Sequence, residues 1–371
     1  MIYHKKTFWL YLNLNLILIT VVGKLLFAQD DFFEPGYSIG GYGELHYNRS
    51  QSGDEGPTKK LDFHRFIIYY GYNWTDKWSF KSEVELEHNF VSSGEYNPAD
   101  STNAGFGELE LEQAFLNYHT DKFGFQIGVV LPSVGLLNEY HEPPLFVSVE
   151  RPEYNKYVIP TTWFGNGFAV YGSMTGVNWR FTFLEDMEGE GIGAGIRSGR
   201  GKGYKTTAFD WVKNFSMYYS GITGLRVGGS YTFNNAPIDD NPDSTVFFGL
   251  GEINLKYDTN NIYTVFEYGN IFYENNPLGY TSSGGYYVDF GYNIAGLVGL
   301  EGKLMPWFRM SDYNRGTIDG TVNPDKHYTI QRFGLTYWPI SNVAFKFDYG
   351  THKTESDDSK TQINFGVGYN F

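Results

Sequence analysis

From residue 29 onward the chain alternates two-faced runs with connections of two lengths, and the two lengths take turns. Period-two polarity predicts strands at 37–48, 61–74, 77–91, 107–119, 122–131, 166–174, 177–184, 214–220, 225–233, 245–257, 262–273, 285–295, 298–311, 327–338, 343–351 and 361–371. Successive strand side chains point to opposite faces, so each run presents one apolar and one polar face. Every connection after an odd run is long and every connection after an even run is tight. A soluble sandwich has no reason to sort its loops by parity. A membrane barrel with both chain ends on one side does, because its long loops gather at one rim and its turns at the other. The expected fold is therefore all-β, a transmembrane antiparallel β-barrel of about sixteen strands over residues 29–371, with long external loops.

The final run carries the same message at single-residue detail. Ile363, Phe365, Val367, Tyr369 and Phe371 share one face, and Gln362, Asn364, Gly366, Gly368 and Asn370 share the other. Lipid outside and water inside require that division. Aromatic residues make up 19% of the chain, with 31 Tyr, and tyrosine suits the membrane–water interface because its ring is apolar and its tip is wet. Past the amino terminus no apolar run is long enough for a membrane helix, which needs about 18 residues. There is no cysteine, which excludes disulfides and thiolate metal sites. Residues 1–28 read as an export signal: Lys5 and Lys6, an apolar stretch, then Leu26-Phe27-Ala28 before a cleavage point. Removing them takes three lysines and no carboxylate from a chain of formal charge −14, leaving −17. Such a chain is a poor nucleic-acid partner.

Alternation also assigns the lumen. Glu83, Glu85 and Glu87 alternate with Val84 and Leu86, and Glu108, Glu110 and Glu112 alternate with Leu109 and Leu111. A charge facing lipid near the midplane costs about 2–4 kcal/mol for Arg or Lys, so these carboxylates are expected to face water. The phase slips near Gln113-Ala114, as at a β-bulge. The same rule puts Arg180, Arg226, Lys256, Lys303, Arg309, Arg332 and Lys346 inside. A solvated interior held by ion pairs and an acidic wall facing more basic walls are both compatible with this pattern. The third long connection, 132–165, carries Leu136, Leu137, Leu145, Phe146, Val147 and Val149. That much apolar surface is expected to fold back into the barrel. Glu139, His141, Glu142, Glu150, Arg151, Glu153 and Lys156 would then lie near the constriction.

Leu61-Asp-Phe-His-Arg65, Ser82-Glu-Val-Glu-Leu-Glu-His88, Glu108-Leu-Glu-Leu-Glu-Gln-Ala-Phe115, Asn138-Glu-Tyr-His-Glu-Pro-Pro144, Val149-Glu-Arg-Pro152 and Ile159-Pro-Thr-Thr-Trp163 resemble stretches of the outer-membrane porins grouped with the phosphate-selective porin O and P type. The closing Phe371 likewise resembles the carboxyl-terminal signal of outer-membrane barrels. The resemblance covers residues 61–165 and implies a sixteen-stranded, usually trimeric porin of a Gram-negative outer membrane, its third loop folded inward, set among lipids and lipopolysaccharide with both termini periplasmic. Phosphate-selective members use a lysine-rich constriction and an arginine ladder. Here the third loop holds only Arg151 and Lys156 against Glu139, Glu142, Glu150 and Glu153, so phosphate selectivity is not expected.

The expected function is passive diffusion of small hydrophilic solutes or ions with a weak cation preference. The alternative is a barrel that serves as a scaffold or accessory subunit among other outer-membrane proteins. No enzyme motif, catalytic residue or cofactor site is expected. Gly201-Lys202-Gly203 lacks the Ser or Thr of a phosphate loop, so the Gly-rich segment 189–203 reads as a mobile external loop. Asp239-Asp240-Asn241-Pro242-Asp243 and Glu355-Ser356-Asp357-Asp358 lack calcium-loop spacing. His88 and His141 lie near carboxylate clusters, but no metal site is expected there.

Overall fold

A computed structural model describes residues 34–89, 91, 107–204, 206–356 and 359–371. Residues 1–28, where an export signal is expected, the connection at 92–106 and the pair Asp357-Asp358 lie outside the described residues. The described chain forms β1 (Gly36–Ser52), β2 (Thr58–Asn73), β3 (Trp78–Glu87), β4 (Leu109–His119), β5 (Phe123–Val130), β6 (Gly165–Met174), β7 (Val177–Leu184), β8 (Val212–Ile222), β9 (Leu225–Ile238), β10 (Asn241–Thr259), β11 (Ile262–Glu274), β12 (Ser282–Tyr292), β13 (Lys303–Ile318), β14 (Thr321–Val322), β15 (His327–Ile340), β16 (Val343–Thr354) and β17 (Ser359–Asn370). Each pairs antiparallel with its sequence neighbour, and β1 pairs with both β2 and β17, which closes the sheet. The two-residue β14 only extends the tip of β13, which pairs directly with β15. The wall is thus a closed sixteen-stranded barrel, and closure leaves no unpaired edge to face lipid. Among the described residues no helix is long and apolar enough to cross a membrane.

The expected two-faced pattern is realised along the wall. In β10, Ile253 is 57% exposed on the outside, while Glu252 and Asn254 on either side are each 5% exposed. An aromatic cluster sits at the rim of tight turns, where the Trp78 and Tyr118 rings lie 4.9 Å apart and the Tyr118 and Phe125 rings 5.5 Å apart. Both ends of the barrel chain reach this rim: Gly36 pairs with Asn73, and the Phe371 carbonyl accepts from the Gly41 N–H. Placing Arg at Ile253 puts a guanidinium on the lipid face between two lumenal residues. We expect Ile253→Arg to destabilise the barrel by about 2–4 kcal/mol, measured by urea unfolding in lipid vesicles.

The β-bulge falls where the phase slip predicts one. Glu83 pairs with Gln113 and Val84 with Leu111, so Glu112 is the extra residue. Several strand ends differ from expectation. Residues 234–244, expected as a loop, continue β9 and β10 to a tight turn at Asp239 and Asp240, whose φ values are 50° and 55°. Asp tolerates that left-handed conformation, which hairpin turns require. Residues 49–60, 312–326 and 352–360 are likewise largely strand. The turn expected after residue 295 is instead a longer connection between β12 and β13 with a 3-10 turn at Ala295–Leu297.

The connection between β5 and β6 folds inward and carries a four-residue helix, α1 (Tyr154–Tyr157). Val134, Val147, Tyr154, Val158 and Ile159 are fully buried, packed within one cluster against lumenal residues such as Phe248, Val265, Trp307 and Ile330, and Val149 is fully buried as well. The approach is close enough to need glycine on the last strand. A Cβ on Gly366 would lie 2.8 Å from Val149 Cγ1, and one on Gly368 would lie 2.3 Å from Pro143 Cβ. The Gly-rich segment also packs inward rather than standing free: Met187, Ile192 and Ile196 are buried in the same cluster.

Candidate functional site: the lumen beneath the third loop

The third loop is fastened to the far wall by inward-facing polar groups, of which Arg309, Arg332 and Lys346 were expected inside. Glu267 on β11 accepts from the Leu136 N–H at 2.7 Å and from Asn155 Nδ2 at 3.0 Å. Asp348 on β16 accepts from the Val149 N–H at 2.8 Å. Thr336 Oγ1, Trp338 Nε1 and Lys346 Nζ donate to the carbonyls of Val147, Pro144 and Ser148. Arg309 forms a two-pronged pair with Asp289 at 2.6 and 2.7 Å and also donates to Ser148 Oγ. Arg332 binds Asp348 Oδ1 at 2.6 Å and Glu153 Oε1 at 3.0 Å. Arg309 and Arg332 thus face inward but lie 1% exposed beneath the loop.

On the opposite side, β3 and β4 present the six glutamates as one wall. Glu83, Glu85 and Glu112 are each 1% exposed. Arg65, on β2, bridges Glu44 at 2.7 Å and Glu85 at 3.0 Å. Glu87 stands more exposed, 3.9 Å from the same guanidinium. Lys202 of the Gly-rich segment reaches Glu108 and Glu110. The wall therefore carries two cations that sequence reasoning did not assign to it. Arg65 could have been found from its register, since it lies opposite both Glu44 and Glu87. Lys202 had no such signal.

The remaining loop residues ring the space between these walls. His141 faces Glu83 and Glu112. Glu142 lies 3.4 Å from the Tyr69 hydroxyl, and Glu139 accepts from Ser133 Oγ. Glu150 accepts from His46 Nδ1 at 2.9 Å. Burial works against its charge, but His46 outweighs burial and holds the carboxyl down at about 2. Burial likewise opposes ionisation of Glu153, and Arg332 and His352 hold that carboxyl well below the usual carboxylate range. Arg151 sits beside the His141 carbonyl, and Lys156 lies over the Tyr157 ring. Arg197 and Arg200, also missed from sequence, donate to the carbonyls of Thr161 and Thr162. Arg180 bonds Gln126 and the Leu131 carbonyl, and Arg226 stacks on Tyr218 with its Cζ 4.1 Å from the ring centre. Lys256 donates to the Leu145 carbonyl, and Lys303 pairs with Asp258.

Water-facing spaces lie toward both rims. A cavity of about 860 Å³ opens toward the long-loop rim and is lined by Lys60, Arg65, Glu87, Glu150, Arg151, Arg197 and Lys360 among others. A second, of about 420 Å³, lies toward the tight-turn rim against Tyr69, Lys81, Glu83, Glu139, His141 and Arg180. Arg151 of the loop lines the first space and His141 the second, and His141 faces the buried Glu112 of the wall.

Over 156 residues the chain is 42% identical to an uncharacterized protein of Aquifex aeolicus (strain VF5). The match takes in 42% of this chain and spans a third (33%) of that relative's length. No protein-family model matches the chain. The fold resembles solved outer-membrane structures. OmpF of Salmonella typhi, in complex with daunomycin, is 14% identical with a TM-score of 0.59, covering 90% of this chain and 97% of that one. The anion-selective porin from Comamonas acidovorans is 10% identical with a TM-score of 0.61, covering 91% of this chain and all (100%) of the other. The outer membrane channel DcaP of Acinetobacter baumannii is 10% identical with a TM-score of 0.56, covering 92% and 99%. At these identities the likeness is one of fold, and the fold is that of outer-membrane porins.

Proposed function

We propose that the chain is an outer-membrane channel for passive diffusion of small hydrophilic solutes or ions, with a weak preference for cations. The observation that carries this reading is the inward third loop, which leaves a charged, water-facing cavity toward each rim of a closed barrel. The stretches between residues 61 and 165 favour kinship with the phosphate-selective O and P type, without that type's basic constriction. Export by residues 1–28, periplasmic chain ends, contact with lipopolysaccharide and a homotrimer belong to the same reading. A structural neighbour, OmpT of Vibrio cholerae, is described in a trimer form.

The cation preference is supported by the wall itself. Glu44, Glu83, Glu85, Glu87, Glu108, Glu110 and Glu112 outnumber Arg65, Lys202, His46 and His141, the basic groups that face them. Neighbouring carboxylates on a strand are about 7 Å apart, within the Debye length at physiological salt, so their fields overlap there and are screened as salt rises. Purified protein in planar bilayers is expected to give stepwise conductance with a cation-side reversal potential that shrinks at high salt. Glu87→Gln with Glu108→Gln, the two most exposed of the six glutamates, is expected to move that potential toward anions. An anion-selective wild type would instead give control to Arg151, Arg197 and Arg200. The buried ion pairs beneath the third loop favour one second reading, a closed scaffold. It predicts a silent barrel that co-purifies with stoichiometric foreign partners.

A further inference from the structure

We propose that His141, Glu83 and Glu112 form a binding site for a divalent transition-metal ion that clamps the third loop to the acidic wall. The three side chains come from the loop, β3 and β4, and are 2%, 1% and 1% exposed. His141 Nε2 lies 3.6 Å from Glu83 Oε1 and 3.5 Å from Glu112 Oε2, and the three ligand atoms all lie within 4.8 Å of one another. These separations exceed a good hydrogen bond. They suit two ligands on one tetrahedral ion, which at zinc bond lengths stand about 3.4 Å apart.

The orphaned atoms point the same way. His141 Nε2, Glu83 Oε1 and both Glu112 oxygens have no hydrogen-bond partner among the described residues. Buried polar atoms left in that condition are costly, and a cation at their centre would satisfy all of them. The surrounding bonds already orient the ligands. His141 Nδ1–H donates to the Asn138 carbonyl at 3.0 Å, which turns Nε2 toward the carboxylates. Asn138 is itself pinned to the Pro132 and Trp163 carbonyls. Gln113 donates to the second oxygen of Glu83. Glu85 and Glu110 group with Glu112 on its other side.

Two other histidine–carboxylate clusters lack this character. Asp62 accepts from His64 and His88 at 3.0 and 2.8 Å, and both ring nitrogens of His46 are engaged by Glu44 and Glu150. One imidazole with carboxylates selects zinc, manganese or ferrous iron over calcium or magnesium, which prefer oxygen ligands throughout.

Metal occupancy is read without conductance, so a barrel silent in bilayers leaves the site testable. Folded protein in detergent is stripped with chelator and titrated with Co²⁺, then with Zn²⁺. Expected are one ion per chain, visible Co²⁺ absorption bands that Zn²⁺ abolishes, and an affinity loss on the order of 100-fold in His141→Ala and in Glu112→Gln. His141 is on the loop, so its variant leaves every wall hydrogen bond in place. His88→Ala should bind as the wild type does. Absence of Co²⁺ bands in the wild type at millimolar ion overturns the site, and so does undiminished binding by folded His141→Ala.

Discussion

Asp348→Leu is expected to cost the folded barrel about 3 kcal/mol, near the lower end of the range for breaking a buried ion pair. Asp348 is 0% exposed and Arg332, its partner, 1%. Three donors converge on this carboxylate: Arg332 Nη1 at 2.6 Å, Asn364 Nδ2 at 2.7 Å and the Val149 N–H at 2.8 Å. Leucine leaves all three without that acceptor in a dry part of the lumen. The cost stays at the low end because Arg332 keeps Glu153 and Gln362. The double variant Arg332→Met with Asp348→Leu removes the orphaned charge and should recover most of the loss, since an apolar pair of similar volume often replaces a buried ion pair at little cost. Urea unfolding followed by tryptophan fluorescence reads both. A loss below about 1 kcal/mol for the single variant would mean that water reaches this pair and that it behaves as a surface bridge. Losing the Val149 anchor should also loosen the third loop, seen as larger current fluctuation in a single open channel.

The same contacts explain how far the chain could be read in advance. Period-two alternation reports one physical fact, that lipid touches one face and water the other. Wherever a strand lies at membrane depth, as β17 does from Ile363 to Tyr369, the sequence names the lumenal residues. Beyond that depth water touches both faces and the alternation fades. Asn234, Asn235 and Asp239 through Asp243 therefore looked like loop, although most of them continue β9 and β10. The inward third loop was legible because Leu136, Phe146, Val147 and Val149 had no other apolar surface to join. The inward Gly-rich segment was not legible, since Met187, Ile192 and Ile196 are diluted by glycines. Its burial depends on a cavity built by distant strands. The contacts of Lys202 with Glu108 and Glu110, and of His141 with Glu83 and Glu112, likewise join segments that no local pattern connects.

Excising residues 133–162 and closing the gap with a short Gly-containing turn should leave a folded barrel and raise its single-channel conductance several-fold. The geometry permits the closure because Val130 pairs directly with Gly165, so the two strand ends already stand at hairpin distance. The wall does not depend on the loop for closure, as every one of its strands is hydrogen-bonded to two others through the backbone. The groups that now hold the loop, including Glu267, Asp348, Trp338 and Lys346, would meet water instead. The apolar wall around Phe248, Val265 and Trp307 would lose its cover, so melting should come at a lower temperature even though the barrel forms. Ion selectivity should weaken as well, because widening the lumen moves permeating ions away from the charged walls and lets salt screen them. Conductance that stays at the wild-type level would show that the third loop is not the constriction. A barrel silent both before and after excision would favour the scaffold over the channel.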